Sequence, residues 1–348
     1  MAAAQPLPIW LDAALPEPLA EMEVALNARV IGQRVAVSHV VRAIARYRAG
    51  LAGLERPVAA FLLLGPTGTG KTLTAEALAE TLHGTAAAML KVHCAEFRGE
   101  HELARLKGSP PGYVGWKECV PLLHETKLRE ARVCDTLAVV LFDEVEKAHP
   151  ALWDLLLGLL DKGEVVLSDN TRADFRRTIV FLTGNAGARE MADRLSGGYG
   201  FSAGTPHARI GHGGAAAAPL EGIASRAVDR LFSPEFRNRL TAVLTYRPLE
   251  FEQVTAICSL ELRRLSARLA AREQGPVGLS VSPAALQRVA RDGYDPRCGA
   301  RHVKRAIERL VEEPLANILA AGRVASGATV TVCDGDTLRF HSAACAGD

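Results

Sequence analysis

The sequence predicts an α/β fold, in which a parallel sheet flanked by helices precedes a smaller, mostly helical C-terminal domain. Apolar runs of strand length alternate with helical patterns from about residue 58 to 246, which is typical of parallel sheets covered on both faces. A glycine-rich loop follows the first of these runs at once. From about residue 249 the pattern becomes helical and closes with a hairpin signal.

The large domain is predicted to begin with helices over about residues 19–51, interrupted near residues 30–33. The strand candidates are near-continuous apolar runs, as expected for strands buried on both faces. They lie at residues 58–64, 89–93, 137–142, 178–183 and 241–246. The helix after the first strand has Gly84 as its predicted C-terminal stop.

The C-terminal part is predicted to contain helices at 251–272, 283–291 and 301–319, with a break at Pro314. Two short strands, 329–333 and 337–340, flank a turn and form the terminal hairpin. We therefore divide the chain into a loosely ordered segment 1–18, a large α/β domain 19–248 and a small domain 249–348.

Composition is that of an average soluble globular protein, with 348 residues, 48% of them hydrophobic, and a formal net charge of +2. Such a charge gives no reason to expect a nucleic-acid or membrane partner. The seven cysteines are dispersed without a C-x-x-C pair, which favours free thiols in a reducing compartment. With neither a basic N-terminal region nor a membrane-length apolar run, we expect a cytoplasmic protein.

The glycine-rich loop has the sequence GPTGTGKT, residues 65–72, and carries the chemistry of a phosphate site. Gly65, Gly70, Lys71 and Thr72 have the spacing of the nucleotide-binding P-loop. Backbone N–H groups can approach phosphates, Lys71 can place its charge between the β- and γ-phosphates, and Thr72 can ligate Mg²⁺. A loop that only turns the chain does not explain the Lys-Thr pair. The remaining loop residues expected to bind the nucleotide are Pro66, Thr67, Gly68 and Thr69.

Two acids, Asp143 and Glu144, follow the apolar run that ends at residue 142. The carboxyl edge of a parallel sheet is where ligands bind, so Asp143 is predicted to hold Mg²⁺ and Glu144 to polarise the attacking water. An alternative is that both acids cap the next helix; the phosphate loop upstream favours catalysis. Asn185 ends a further strand, where it either contacts the γ-phosphate or serves as a turn residue.

Several motifs occur in the order found in Clp-type AAA+ unfoldases. Besides the loop they are GSPPGYVGW at 108–116, LFDEVEKAHP at 141–150, FSPEFRNRL at 232–240 and GYDPRCGAR at 293–301. From about residue 19 to 340 the chain resembles the second ATPase module of ClpA-like members, with its small domain. This resemblance implies a ring of six subunits that binds ATP and Mg²⁺ and acts on polypeptides.

The resemblance also assigns roles that spacing alone does not. Arg239 matches the arginine finger that reaches a neighbouring subunit's nucleotide. Arg301 matches the small-domain arginine that senses the γ-phosphate, and Asn185 the polar sensor beside the acids. Val30 and Ile31 match residues that line the adenine pocket.

Two loop motifs concern the substrate and a partner. Tyr113 and Val114 match the axial pore loop that grips a polypeptide, although without the resemblance a buried tyrosine in a turn is favoured. Tyr199, Gly200 and Phe201 lie where relatives that dock a ClpP-like protease carry an aliphatic residue, glycine and an aromatic residue or leucine. Tyrosine replaces the aliphatic residue here, so docking is a hypothesis.

Family members usually carry an N-terminal substrate domain and a further ATPase module, which are not found in these 348 residues. The resemblance therefore leaves two functions open. One is an unfoldase that hydrolyses MgATP in a ring and threads polypeptide through a pore. The alternative is an ATP-gated assembly or regulatory module that threads nothing.

Overall fold

The N-terminal helices lie where the sequence predicts them. The computed structural model describes residues 15–53, 55–108, 120–132, 136–187, 190–191, 217–273, 275–295, 299–335 and 337–343. Helices α1 (Glu17–Arg29) and α2 (Arg34–Arg48) are separated by a break at Gly32, whose φ is 86°. The predicted loosely ordered segment 1–18 falls mostly outside the described residues.

The large domain is built on a parallel sheet. Its strands and the hairpin beside it are β1 (Ala59–Leu64), β2 (Leu90–His93), β3 (Ala138–Asp143), β4 (Glu164–Val166), β5 (Arg172–Asp174), β6 (Thr178–Gly184) and β7 (Ala242–Thr245). Five of them pair in the order β2-β3-β6-β1-β7, and every pairing is parallel. The predicted fold class is confirmed, and β1, β3 and β6 occupy the middle of the sheet.

Helices cover both faces of this sheet. They are α3 (Lys71–His83), α4 (Ala104–Lys107), α5 (Glu125–Glu130), α6 (Pro150–Lys162), α7 (Ala217–Leu231) and α8 (Pro234–Arg239). Alternate residues of β1 enter opposite cores: Leu62 and Leu64 join one apolar cluster, Phe61 and Leu63 the other. All four are fully buried, which explains why this strand appears in the sequence as an unbroken apolar run.

The β4–β5 hairpin was not predicted from the sequence. Its strands have three residues each and pair antiparallel, and charged or exposed side chains dominate them. Tertiary contacts hold it in place, because Ser168 donates its backbone N–H to the Lys107 carbonyl (2.9 Å) and its hydroxyl to the Gly108 carbonyl (2.6 Å). Strands this short give too little alternation to be recognised.

The C-terminal part has a core of its own, shared by helices and a small sheet. Its elements are α9 (Phe251–Ala270), β8 (Gly278–Val281), α10 (Pro283–Gly293), α11 (Arg301–Ile307), α12 (Glu313–Ala320), β9 (Thr329–Cys333) and β10 (Arg339–Ala343). The predicted hairpin is confirmed as β9 and β10. Strand β8, which was not predicted, pairs parallel to β9 and makes the sheet three-stranded. The division at residue 248 stays a prediction.

The predicted break at Pro314 is wrong. A π-helical turn at Glu308–Glu312 joins α11 directly to α12, so the helical path continues past the proline. Proline lacks the amide hydrogen and its ring clashes with the preceding turn, and a widened turn is one way of relieving that clash. In the part of the chain that the structure describes, no helix is both long and apolar enough to cross a bilayer.

Candidate functional site

The glycine-rich loop connects β1 to α3 at the carboxyl edge of the sheet. Its first residue, Gly65, has a φ of 146°, and a Cβ there would lie 2.5 Å from the Tyr246 carbonyl oxygen. Only glycine fits this position, because a side chain would collide with the backbone that follows β7. The loop is therefore held against the sheet, with its glycine backbone at the mouth of a cavity of about 490 Å³.

Lys71 begins α3 and is buried, with 8% of its surface exposed. Its ammonium donates to the carbonyls of Gly65 (2.7 Å) and Pro66 (2.9 Å) and to Oδ1 of Asn185 (2.9 Å). Burial lowers the pKa of Lys71 to about 8; the Glu146 carboxylate opposes this shift. The structure thus joins the loop lysine to the predicted sensor on the neighbouring strand.

The predicted metal residues also meet. Thr72 donates its hydroxyl to Oδ1 of Asp143 at 3.1 Å. Thr183 donates to the same oxygen at 2.5 Å, and its own hydroxyl oxygen accepts the backbone N–H of Glu144 at 3.0 Å. Thr183 is buried, and the sequence analysis did not assign it a role. Its position could have indicated one, because it lies on the strand next to the acids and two residues before Asn185.

Mg²⁺ fits this arrangement. It prefers oxygen ligands and is bound in phosphate sites by one or two protein groups, with phosphates and water completing the shell. A hydroxyl and a carboxylate, from Thr72 and Asp143, converge beside the phosphate loop. Within the described residues no group of three or more His, Cys, Asp or Glu side chains is placed to hold a metal.

Glu144 occupies an unusual backbone conformation. Its φ of 59° lies in the left-handed region, which costs a residue other than glycine about 1–2 kcal/mol. Its carboxylate accepts from Lys147 at 2.6 Å, so the predicted water-activating group forms an ion pair one turn along the chain. Strain of this type concentrates at functional sites, and nothing in the sequence indicated it.

The cavity brings together most of the predicted residues. Its lining includes Val30, Ile31, Thr67, Gly68, Thr69, Gly70, Lys71, Thr72, Asp143, Glu144, Asn185 and Arg301. Gln33 belongs to the same predicted stretch as Val30 and Ile31, and its amide donates to the carbonyls of Thr69 (3.3 Å) and Arg247 (2.9 Å). Leu249 and Ile257 add apolar surface to the lining, which suits a planar base.

The small domain contacts the phosphate loop directly. Ala300 donates its N–H to the Gly68 carbonyl at 3.1 Å, and Arg301, the next residue, lines the cavity. Gly299 has a φ of 57°, and a Cβ there would lie 2.7 Å from the same carbonyl oxygen. This close backbone approach brings the predicted γ-phosphate sensor to the nucleotide loop.

Arg239 lies apart from the cavity, at the end of α8. It forms an ion pair with Asp161 on α6 at 2.8 Å, and both side chains are about two-fifths exposed. An exposed pair of this kind contributes little stability and exchanges readily. The structure therefore does not bring Arg239 to its own chain's nucleotide site.

Two predicted sites fall outside the described residues. They are the pore-loop residues Tyr113 and Val114 and the protease-docking residues Tyr199, Gly200 and Phe201.

A phosphate loop, paired acids and a polar sensor on a parallel sheet define a P-loop ATPase of the AAA class. Residues 56–243 match the family model of the AAA domain (Cdc48 subfamily), and residues 249–332 match that of the C-terminal D2-small domain of ClpB protein. The chain therefore belongs to the AAA family, as a Clp-type AAA+ ATPase.

Relatives agree with this assignment. The chain is 40% identical over 325 residues to the chaperone protein ClpB of Pseudomonas putida, covering 93% of this chain and 35% of that protein. It is 36% identical over 317 residues to the ATP-dependent Clp protease ATP-binding subunit ClpC of Staphylococcus saprophyticus, covering 90% and 36% respectively. The chain thus spans about a third of the length of these relatives.

A solved structure of Hsp104 with ATPγS and FITC casein, in a closed state, is also similar. Its TM-score is 0.76 at 28% identity, and the match covers 94% of this chain and 52% of that chain.

Proposed function

We propose that this chain is an ATP-dependent protein unfoldase, which hydrolyses MgATP within a hexameric ring and moves polypeptide through the pore. The observation that carries the proposal is the convergence of Lys71, Thr72, Asp143, Asn185 and Arg301 on one cavity. Arg239 is not among the residues that line the cavity, which is compatible with a finger that acts on a neighbour's site.

The lining of the cavity supports ATP binding. The base would lie among the apolar side chains of the lining, which include Val30, and the phosphates would lie against the loop backbone and the N-terminus of α3. Lys71 exchanges the Asn185 oxygen for phosphate oxygens. Thr72 and Asp143 would hold Mg²⁺, which when bound neutralises charge on the phosphates.

Hydrolysis requires Glu144 to leave Lys147 and turn toward the water. The water oxygen then bonds to the γ-phosphorus, the bond from that phosphorus to the bridging oxygen breaks, and Glu144 accepts the water proton. Asn185 and Arg301 contact the γ-phosphate, while Arg239 of a neighbouring subunit stabilises the charge that develops. Loss of the γ-phosphate removes these contacts and frees the small domain to move.

The substrate is proposed to be a polypeptide, which the ring unfolds as it is threaded. Two matches support this choice: the relatives include a chaperone, and the solved structure of Hsp104 contains casein. Tyr113 and Val114 are the residues proposed to grip the chain.

Protease docking is a separate proposal, resting on Tyr199, Gly200 and Phe201. It gains support from the match to a Clp protease ATP-binding subunit and none from the match to ClpB. Purified protein mixed with ClpP should degrade a tagged substrate, and Phe201→Ala should lose degradation while keeping ATPase activity. An absence of any binding to ClpP would remove the proposal.

The decisive experiment measures ATPase activity and the unfolding of a stable fluorescent reporter together. Wild type should do both, Glu144→Gln should bind ATP but hydrolyse it at least about a hundredfold more slowly, and Tyr113→Ala should hydrolyse ATP without unfolding. Hydrolysis by wild type with no unfolding of any reporter would favour the alternative of an assembly module. Wild-type turnover in Glu144→Gln would reject the assignment of the base.

A further inference from the structure

Glu146 is a third acid beside the site, placed just after β3, and it does not line the nucleotide cavity. Its Oε1 accepts the backbone N–H of Asn185 at 2.9 Å, so it contacts the end of β6 from the adjacent strand's turn. Its other oxygen, Oε2, is buried and has no hydrogen-bond partner among the described residues. A buried carboxylate oxygen in this state is unfavourable, so its presence calls for a function.

The hydrogen bond between Asn185 and Glu146 is one of two that join the ends of β3 and β6. From the β3 side, Glu144 donates its N–H to Thr183 on β6; from the β6 side, Asn185 donates its N–H to Glu146. The predicted base is therefore held through its backbone by a side chain of β6, and the predicted sensor by a side chain of the turn that follows β3.

The approach of Glu146 to β6 depends on the residue between Thr183 and Asn185. That residue is Gly184, where a Cβ would lie 3.2 Å from Oε2 of Glu146 and 3.0 Å from Cδ2 of Leu64. The carboxylate thus packs against bare backbone. With its N–H held, Asn185 directs Oδ1 to the Lys71 ammonium at 2.9 Å.

We propose that Glu146 is a positioning residue for ATP hydrolysis. It clamps the backbone N–H of Asn185, so that the side-chain amide of Asn185 faces the γ-phosphate. The inference rests on the proposed ATPase function. Glu146 acts through one acceptor oxygen at a set distance, so the clamp depends on the length of its side chain.

The first test compares Glu146→Asp, which keeps the charge but withdraws the acceptor by one methylene, with Glu146→Gln, which keeps the acceptor. Glu146→Asp should lower kcat about tenfold with KM within about twofold, and Glu146→Gln should retain kcat within about threefold. Glu164 is the control: it pairs with Arg172 and Arg176 on the β4–β5 hairpin, and Glu164→Asp should leave kcat unchanged. The opposite ranking, with Asp active and Gln inactive, would overturn the proposal.

The second test is a double-mutant cycle with Asn185→Ala. If Glu146 acts through Asn185, adding Glu146→Asp to Asn185→Ala should cause no further loss of kcat. Losses that multiply would show an independent structural effect and refute positioning. If Glu146→Asp does not fold, Glu146→Gln carries the test: it should keep wild-type kcat, and a tenfold loss would contradict the clamp.

A third measurement does not depend on hydrolysis. Hydrogen exchange of the peptide spanning residues 178–187 should be faster in Glu146→Asp than in wild type, because the Asn185 amide loses its acceptor. Exchange should stay at the wild-type rate in Glu164→Asp. If wild type hydrolyses no ATP, the proposed function is wrong, but hydrogen exchange can still test whether Glu146 clamps Asn185. If exchange in Glu146→Asp equals that in wild type, the clamp is wrong and the proposed function is unaffected.

Discussion

Lys71 shows how a single buried charge can control the site. With its pKa lowered to about 8 by burial, the amine loses its proton in the nucleotide-free chain far below the usual value near 10.5. Between these two pH values the unfolded chain binds more protons than the folded one. The buried ammonium therefore costs stability below pH 8, and that cost is relieved as pH rises from 8 toward 10.5.

The same shift predicts the pH dependence of nucleotide binding. Phosphates require the charged amine, so the affinity for ATP should fall as pH rises through 8, by at most about tenfold per pH unit. Titration of a fluorescent ATP analogue from pH 7 to 9.5 measures it. Lys71→Arg, which stays charged, should show a flat profile. A flat profile in wild type would contradict the lowered pKa.

Thr183 predicts a second effect at the level of one residue. Thr183→Val removes the hydroxyl that bonds Asp143 and leaves the Glu144 N–H without its acceptor. We expect a loss of about 1–3 kcal/mol of unfolding free energy, together with a fall in kcat of at least about tenfold.

Thr178 at the other end of β6 offers a matched control. It is also buried, and its hydroxyl donates to the Phe175 carbonyl at 2.6 Å. Thr178→Val should lose similar stability in a urea titration and keep wild-type kcat. Equal loss of kcat in both variants would show that the effect of Thr183 is only structural.

At the scale of elements, the contact between the small domain and the phosphate loop decides how Arg301 reaches the site. Gly299→Ala should both strain the backbone and push Ala300 away from Gly68. We expect a loss of about 1–3 kcal/mol of stability and at least about tenfold weaker ATP binding, measured by calorimetry.

Gly322 is a control that separates backbone strain from the displacement of Ala300. It has a φ of 66°, close to that of Gly299, but a Cβ there would meet nothing within 4 Å. Gly322→Ala should therefore show the backbone cost of about 1–2 kcal/mol and normal ATP affinity. Normal affinity in Gly299→Ala as well would mean that the close approach does not position Arg301.

At the scale of the whole molecule, Arg239 predicts that the active unit is larger than one chain. Glu144→Gln and Arg239→Ala should each be inactive alone. In a mixed ring with equal amounts of both, about a quarter of the sites combine an intact Glu144 with a neighbour's intact Arg239. ATPase activity of the mixture should therefore approach about a quarter of wild type. Mixtures as inactive as their parents would show that Arg239 does not act between subunits.

Assembly should also respond to nucleotide. Size-exclusion chromatography with light scattering should show a larger species when ATP is added to Glu144→Gln, which holds ATP without hydrolysing it. Lys71→Ala, which loses the phosphate contact, should stay at the size of the nucleotide-free chain. A single size under all conditions would contradict assembly driven by ATP.

Local sequence patterns were enough to predict the large-scale fold and the order of the chemistry along the chain. Strands buried on both faces, such as β1 and β6, must be apolar throughout, so their positions were evident. The phosphate loop was evident because glycine, lysine and threonine at fixed spacing answer separate demands of a bound triphosphate. These requirements concern consecutive residues of one loop, so a short sequence motif is enough to identify them.

The contacts between residues of different elements became known from the folded chain alone. The contacts of Glu146 with Asn185, of Thr183 with Asp143 and of Ala300 with Gly68 join residues far apart in sequence. The short β4–β5 hairpin likewise depends on tertiary contacts, which Ser168 makes with Lys107 and Gly108. Sequence periodicity describes neighbours within one element, whereas hydrogen bonds between strand ends and domains depend on distances that only the folded chain sets.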